Sequence, residues 1–332
     1  MLQDFVRLLS RYLVLALCVV LVNFFLPRML PGDPLDFSSG DGLDAAVPLT
    51  ASARAQLEAY YHLDESTQNQ LRSYLSGLLR GDLGLSISRS APVSDLIVDR
   101  LPWTLSLLLV SLVFSAAIGA GIGLAAGWRP GTRRDRWLTS SSGMLSAIPE
   151  FLLAIGLLLG GAVGLGWFPL FGGETVFAES RDGLTGILRG GLDIAWHLTL
   201  PAATLAIGGV SAFALVTRDA TAGLQHQPWL VAARAKGLNE RQVAIRHALP
   251  NLAFPLTTFF GLRLGGVLGG ALVVERVFSV PGLGLLGFQA IGARDYPILQ
   301  ALFLLSSLAV LLVAFLVELV YMRLDPTRRS RQ

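Results

Sequence analysis

The sequence is short of charge. Only 15% of its 332 residues are Asp, Glu, Lys or Arg, against 53% hydrophobic residues and a mean hydropathy of +0.59. Soluble domains carry about a quarter charged residues. This chain therefore has too little polar surface to cover a water-soluble globule of its size. Lysine is nearly absent, with Lys236 alone in the chain. A P-loop needs Gly-Lys-Ser/Thr, because the lysine reaches the phosphates and the hydroxyl holds magnesium. Gly237 follows Lys236, so no P-loop exists here. The one cysteine, Cys18, lies in an apolar run and can make neither an internal disulfide nor a cysteine metal site. Redox compartment is therefore unreadable. His62, His197, His226 and His247 are scattered without metal-ligand spacing, and each reads as a satisfied polar residue. No Gly-x-Ser-x-Gly elbow occurs, and no other catalytic constellation is present. The pI of 9.3 is basic, yet the arginines gather on no single soluble domain, which argues against nucleic acid.

Long apolar runs are what the chain has instead. A bilayer core of about 30 Å needs about 20 apolar helical residues. Six segments qualify: residues 12–30, 105–127, 144–168, 195–217, 252–274 and 298–322. The first has Arg7 and Arg11 before it, as a signal peptide would. No small-x-small cleavage site follows, so it reads as a retained span. The predicted fold class is all-α and membrane-integral, with about six transmembrane helices.

Six spans put both termini on one side, and arginine bias says which. The N-terminus, 128–137, 218–250 and 323–332 together hold 15 Lys or Arg and five acids. The opposite side holds ten arginines and fifteen acids, with Glu275 left aside. The first side is expected to be cytoplasmic.

Two connections carry patterning of their own. The external loop 31–100 holds ten acids and five arginines. Within it Leu71, Tyr74, Leu75, Leu78 and Leu79 recur at the spacing of one helix face, and Gly81-Asp-Leu-Gly84 reads as a turn. This is a small cap, either a passive lid or a docking surface. In the loop 218–250, Trp229 to Leu238 reads as a short helix ended by Gly237. Asn239 then caps a second, running from Glu240 to Leu249 and stopped by Pro250. Two short helices in such a loop suggest a handle for a soluble partner.

Within the spans, charges are expensive and mark a pathway or a buried pair. Glu150, Arg263 and Glu275 are the candidates. Glu150 follows Pro149, which invites a kink. Arg263 is either one half of a structural pair with a carboxylate or a pathway residue. Facing a pore, it would favour an anionic substrate or a terminal carboxylate. Gly119, Gly123 and Gly127, and again Gly261, Gly265 and Gly269, place small residues along one helix face. They read as packing seams, within this chain or against a second membrane subunit. Gly282-Leu-Gly284-Leu-Leu-Gly287 matches a dinucleotide pattern but lacks the βαβ context. It reads as a tight external loop.

The order of several motifs carries a resemblance over nearly the whole chain. They are Leu30-Pro-Gly-Asp-Pro34, Leu79-Arg-Gly-Asp-Leu-Gly-Leu-Ser86, Arg100-Leu-Pro-Trp-Thr104, Ala233-Arg-Ala-Lys-Gly237, Arg246-His-Ala-Leu-Pro-Asn251, Val277-Phe-Ser-Val-Pro-Gly-Leu-Gly284, Arg294-Asp-Tyr-Pro297 and Leu324-Asp-Pro326. The chain resembles the membrane permease subunits of the dipeptide/oligopeptide/nickel class of ABC importers, of the type with a large loop after the first span. A general permease loop pattern, Glu-Ala-Ala-x3-Gly-x9-Ile-x-Leu-Pro, keeps its spacing here, with Val231 for the glutamate and His247 for the isoleucine.

The resemblance implies a type I importer permease-like fold in a bacterial inner membrane. It implies four parts: residues 1–30 as N-terminus and first span, 31–100 as periplasmic cap, 101–322 as a five-helix permease core with coupling loop 218–250, and 323–332 as cytoplasmic tail. Ala232, Ala233, Arg234, Ala235, Lys236, Gly237 and Leu238 would form the coupling helix seated in an ATPase subunit. Closure of two ATPase subunits on ATP would then flip the pore. An external binding protein would deliver the substrate, with Asp82, Gly84, Ser86, Pro281, Gly282 and Asp295 as docking candidates. The implied partners are a second homologous permease subunit, two ATPase subunits, the binding protein and membrane lipid. No cofactor is expected on this chain, since ATP and magnesium would sit in the ATPase subunits. The substrate class covers peptides, glutathione, nickel and metal chelates. A stand-alone secondary transporter is the alternative, although no repeated halves are evident. A membrane enzyme would need catalytic clusters that are missing.

Overall fold

A computed structural model describes residues 2–29, 65–175 and 183–324. The motif at 30–34, most of the tail and the first half of the cap lie outside the described residues. Those described are helical, with one isolated antiparallel bridge, Leu85 to Pro92. In chain order the helices are α1 (Leu2–Met29), α2 (Thr67–Leu79), α3 (Val93–Gly127), α4 (Arg133–Ser146) and α5 (Glu150–Leu157). There follow α6 (Gly183–Leu224), α7 (Pro228–Ala235), α8 (Glu240–Val243), α9 (Leu249–Phe278), α10 (Leu283–Gly292) and α11 (Tyr296–Leu324). Wider π-helical turns extend α5 over Leu158–Gly164 and join α8 to α9 over Ala244–Ala248.

Four of the six apolar runs, those at 105–127, 195–217, 252–274 and 298–322, fall within single helices longer than themselves. The run 12–30 follows α1 to its last described residue, and 144–168 is instead divided between the end of α4 and α5 with its π-helical extension. Helix α6 has 42 residues where 23 were expected from 195–217. Hydropathy marks the part of a helix suited to lipid, whereas backbone hydrogen bonding carries on past it. Among the described residues, four helices are long and apolar enough to cross a membrane, or up to six if each bent pair is one span. One such pair is α4 and α5, whose axes meet at 90°. Pro149 stands between them, has no N–H to continue the ladder and serves as N-cap of α5 with ψ 139°.

The chain divides into two compact units, residues 1–101 with 286–311, and residues 102–285 with 312–332. In the first, Asn23 of α1 is 8% exposed inside an otherwise lipid-compatible helix. Its Nδ2 donates to Tyr74 Oη at 3.1 Å and to the Gln300 carbonyl at 3.3 Å, and Gln300 Nε2 donates back to the Asn23 carbonyl at 3.1 Å. Phe24 stacks beside the same Tyr74 at 5.4 Å. Elsewhere α1 shows Val6, Leu13, Val14, Leu17 and Val22 to its surroundings. Apolar exposure of that extent suits lipid. On α2, Leu71, Tyr74, Leu75 and Leu78 are half-buried, but Leu79 is 90% exposed, at the end of the helix where the chain turns away.

In the second unit the glycine seam of α3 finds its partner in α6. A Cβ on Gly119 would stand 2.5 Å from Phe213 Cβ, one on Gly123 2.5 Å from Thr217 Cβ, and one on Gly127 2.7 Å from Thr221 Cβ. Both series rise by four, so α3 and α6 run parallel in backbone contact. Two parallel crossings require a crossing in the other sense between them. The bent pair α4 and α5 is the segment available for it. Gly261 of α9 makes room for a side chain instead, that of Val317 on α11.

Pro250 does not end a helix, contrary to the expectation from sequence. It sits in the first turn of α9. A residue without an N–H is accommodated there because the π-helical turn over Ala244–Ala248 widens the ladder just before it. The wider turn before it lets α8 pass into α9 without a break.

Candidate coupling site and polar cavity

The loop between α6 and α9 is a built unit. Pro228 opens α7, and Gly237 closes it with φ +80°, a left-handed conformation that an L side chain resists. Asn239 then forms a capping box with Gln242, with bonds of 2.8 and 3.2 Å. Leu230, Ala233, Val243 and Ala248 make a small buried core, with Trp128, Leu224 and Leu238 packed against it. Arg234 ties the unit together. Its Nε donates to Glu240 Oε1 at 3.1 Å and its Nη2 to Gln225 Oε1 at 2.7 Å, while its guanidinium lies 5.6 Å from the Trp128 ring centroid. Trp128 Nε1 donates to Glu240 Oε2 at 2.9 Å.

A neighbouring ion pair joins the same polar segments. Arg218 grips Asp135 with two bonds of 2.9 and 2.7 Å, and Asp135 is 2% exposed. Asp135 lies in the polar segment 128–137, and the Arg218 guanidinium holds its carboxyl well below the usual carboxylate range, outweighing burial. Gly131 N–H and Thr139 Oγ–H also donate to it, at 2.8 and 3.1 Å. Segments 128–137 and 218–250, placed on one side by their arginines, are thus in direct contact.

The seven residues 232–238 therefore do different jobs. Ala233 is buried, Leu238 packs on the core and Arg234 is held internally. Ala232, Ala235, Lys236 and Gly237 are exposed. Trp229 and Val231, just before them, are exposed at 37% and 53% and extend the same open surface. Sequence reasoning stopped short of these two. An apolar side chain on a short loop helix was the available signal.

The three charges within spans also separate. Glu275 is fully buried. Thr104 Oγ–H donates to its Oε1 at 2.7 Å and Leu285 N–H to its Oε2 at 3.0 Å. The Thr104 hydroxyl in turn accepts from Leu283 N–H at 2.7 Å. Gly282 and Gly284 face this carboxylate so closely that a Cβ on Gly282 would collide with it. The group that accepts the backbone N–H at this glycine-rich turn is the chain's own carboxyl. That is the physical content of the decoy dinucleotide pattern. Glu150, in the first turn of α5, and Arg263, on α9, instead line one cavity of about 140 Å³ together with Ser111 and Ser115 of α3.

The docking candidates divide by burial. Asp82 is exposed, and its Oδ1 accepts from Gly84 N–H at 2.9 Å in a tight turn. Gly84 and Pro281 are half-exposed. Ser86, Gly282 and Asp295 are buried and offer a partner no surface, which corrects their reading as direct contacts. Asp295 accepts from Ser86 Oγ–H at 2.6 Å, Ser88 Oγ–H at 2.7 Å and Ser88 N–H at 2.9 Å, so it shapes the turn beneath. Among the described residues no group of three or more His, Cys, Asp or Glu could hold a metal. His197 Nδ1 lies 2.9 Å from the Asp193 carbonyl, as a satisfied polar residue would.

A multi-pass helical bundle, with a compact soluble handle and a polar cavity between its helices, defines a membrane transport component. Residues 117–330 match the family model described as binding-protein-dependent transport system inner membrane component, and the chain belongs to that family. It is 33% identical over 309 residues to the oligopeptide transport system permease protein AppB of Bacillus subtilis, covering 93% of each chain. It is 35% identical over 331 residues to the glutathione transport system permease protein GsiC of Salmonella typhimurium, covering 98% of each. A solved structure of the MetNI methionine ABC transporter, inward facing, shares the fold at TM-score 0.54 and 20% identity, covering 69% of this chain and 96% of that one. The chain is thus a permease component of an ABC importer in the inner membrane. Its partners are ATPase subunits, which hydrolyse the ATP, and a binding protein. The stand-alone transporter and the membrane enzyme fall away.

Proposed function

We propose that this permease takes peptides or a glutathione-like solute from an external binding protein and passes them to the cytoplasm, with both termini cytoplasmic. The names of its relatives support the substrate class. The arginine excess of 128–137 and 218–250 supports the orientation, as does the Asp135–Arg218 contact between them. Residues 101–322 act as the core and 31–100 as the external cap, where Asp82 and Gly84 are candidate contacts for the binding protein. Pro281 is a further candidate on the core. A second homologous permease completes the pore.

The observation that carries coupling is the exposed side of α7. Trp229, Val231, Ala232, Ala235 and Lys236 are open, while Leu230 and Ala233 anchor the helix from behind. An apolar surface on a rigid, internally braced helix suits insertion into a groove of an ATPase subunit. Movement of that subunit would then be passed on as rigid-body motion.

Val231→Asp tests this. A charge on the docking surface, with the anchoring core untouched, is expected to leave the permease folded. Substrate-stimulated ATP hydrolysis in the reconstituted complex should fall by about tenfold or more, the effect of burying an unpaired charge in an interface. Unchanged stimulation and uptake would remove α7 from the coupling role.

A further inference from the structure

The cavity between α3, α5, α6 and α9 holds two opposite charges that do not neutralise each other. Glu150 and Arg263 both line it, yet among the described residues no ion pair within 4.0 Å links them. Such charges in a membrane protein are costly and are kept where they serve a solute or a partner charge. The Arg263 guanidinium lies 5.6 Å from the Phe259 ring centroid. Contact with a ring face leaves a guanidinium's in-plane N–H donors available. Ser111 and Ser115 donate their hydroxyl protons to the backbone carbonyls of Leu107 and Ser111, at 2.8 and 2.6 Å. Their lone pairs remain to accept.

We propose that this cavity recognises a zwitterion. A solute's ammonium is taken by the Glu150 carboxylate, with the serine hydroxyls as further acceptors, and a solute's carboxylate is taken by the Arg263 guanidinium. A solute with one charge would satisfy one wall and leave the other unpaired. Peptides and glutathione each carry a free ammonium and free carboxylates. The inference rests on the reading of the chain as an importer of that class, and names the feature its membrane path selects.

The test uses the complete transporter in proteoliposomes, with ATP inside and binding protein outside. The probes are dialanine, N-acetyl-dialanine and dialanine amide, with uptake normalised to the occupancy of the binding protein by each. The same comparison is run with glutathione and its N-acetylated and amidated forms. Wild type should favour each parent compound over both capped forms by at least about tenfold, since one charge-assisted hydrogen bond is lost in each case. Glu150→Gln should erase the preference over the N-acetyl form alone, and Arg263→Gln the preference over the amide alone. If either variant fails to assemble, Glu150→Asp and Arg263→Lys replace it, with the corresponding preference reduced. Uniform loss across all probes, or unaltered ratios, would overturn the zwitterion site. Absence of ATP-driven uptake of both parent compounds would instead overturn the importer reading beneath it.

Discussion

Gly123→Val is expected to prevent this protein from assembling into a stable bundle. The Cβ alone would stand 2.5 Å from Thr217 Cβ and would press on the backbone of α6 at Ala214 and Arg218. Backbone cannot swing aside as a flexible side chain can, so the two helices would have to part along their seam. Gly119 and Gly127 sit one turn to either side in the same kind of contact, and their packing would be lost as well. Overpacking a close interface of this kind costs about 3 kcal/mol, and lipid offers the parted helices no compensating hydrophobic gain. Gly121 is the internal control, because nothing lies within 4 Å of a Cβ placed there. Gly121→Val carries nearly the same change in helix propensity without the collision. Thermal unfolding of the detergent-purified proteins separates the two. A Gly123→Val protein that melts with the wild type, or with the Gly121→Val control, would contradict the α3–α6 seam.

The second large effect concerns the buried Glu275. Glu275→Ala leaves the Thr104 hydroxyl and the Leu285 N–H without their acceptor and opens a cavity where the carboxylate was. A loss of about 4 kcal/mol follows from two orphaned donors at about 1–3 kcal/mol each, with the cavity adding to it. Glu275→Gln should fall between, since one oxygen still accepts while the amide nitrogen meets a donor. Gly282→Ala should also destabilise, because its methyl strikes the carboxylate. The two substitutions share one space and cannot be independent. In the Glu275→Ala background, Gly282→Ala is expected to cost little, since the group it strikes is gone. Strict additivity in that double-mutant cycle would show that the carboxylate does not fill the space beside Gly282.

Much of this was readable from residue order alone, for physical reasons that differ by feature. The spans were legible because lipid imposes a length and a polarity on any helix crossing it. The break before Glu150 was legible because proline lacks an N–H. Gly237 was legible as a helix stop because a left-handed residue is cheapest as glycine. Asn23 was not, because one amide in a long apolar run does not announce whether a partner exists. Tyr74 and Gln300 are 51 and 277 residues away. Ser86 and Asp295 were named as docking candidates through the family resemblance, which carries no information on their burial. Here they satisfy each other, 209 residues apart, beneath the turn they hold.

By itself, the sequence determined the solvent, the class and the division of labour. Its hydropathy requires a membrane, its motif order marks a permease, and if ATP drives that permease, the lone Lys236 followed by glycine leaves the nucleotide to another chain. These properties are local or additive along the chain, so no coordinates are needed to read them. Tertiary structure decided which helix the Gly119 seam meets, and that Glu275 closes a turn while Glu150 and Arg263 share a cavity. It also decided that the open side of α7 begins at Trp229. Such outcomes depend on contacts between residues far apart in the chain, and hydropathy and spacing carry no information about which distant backbone will arrive.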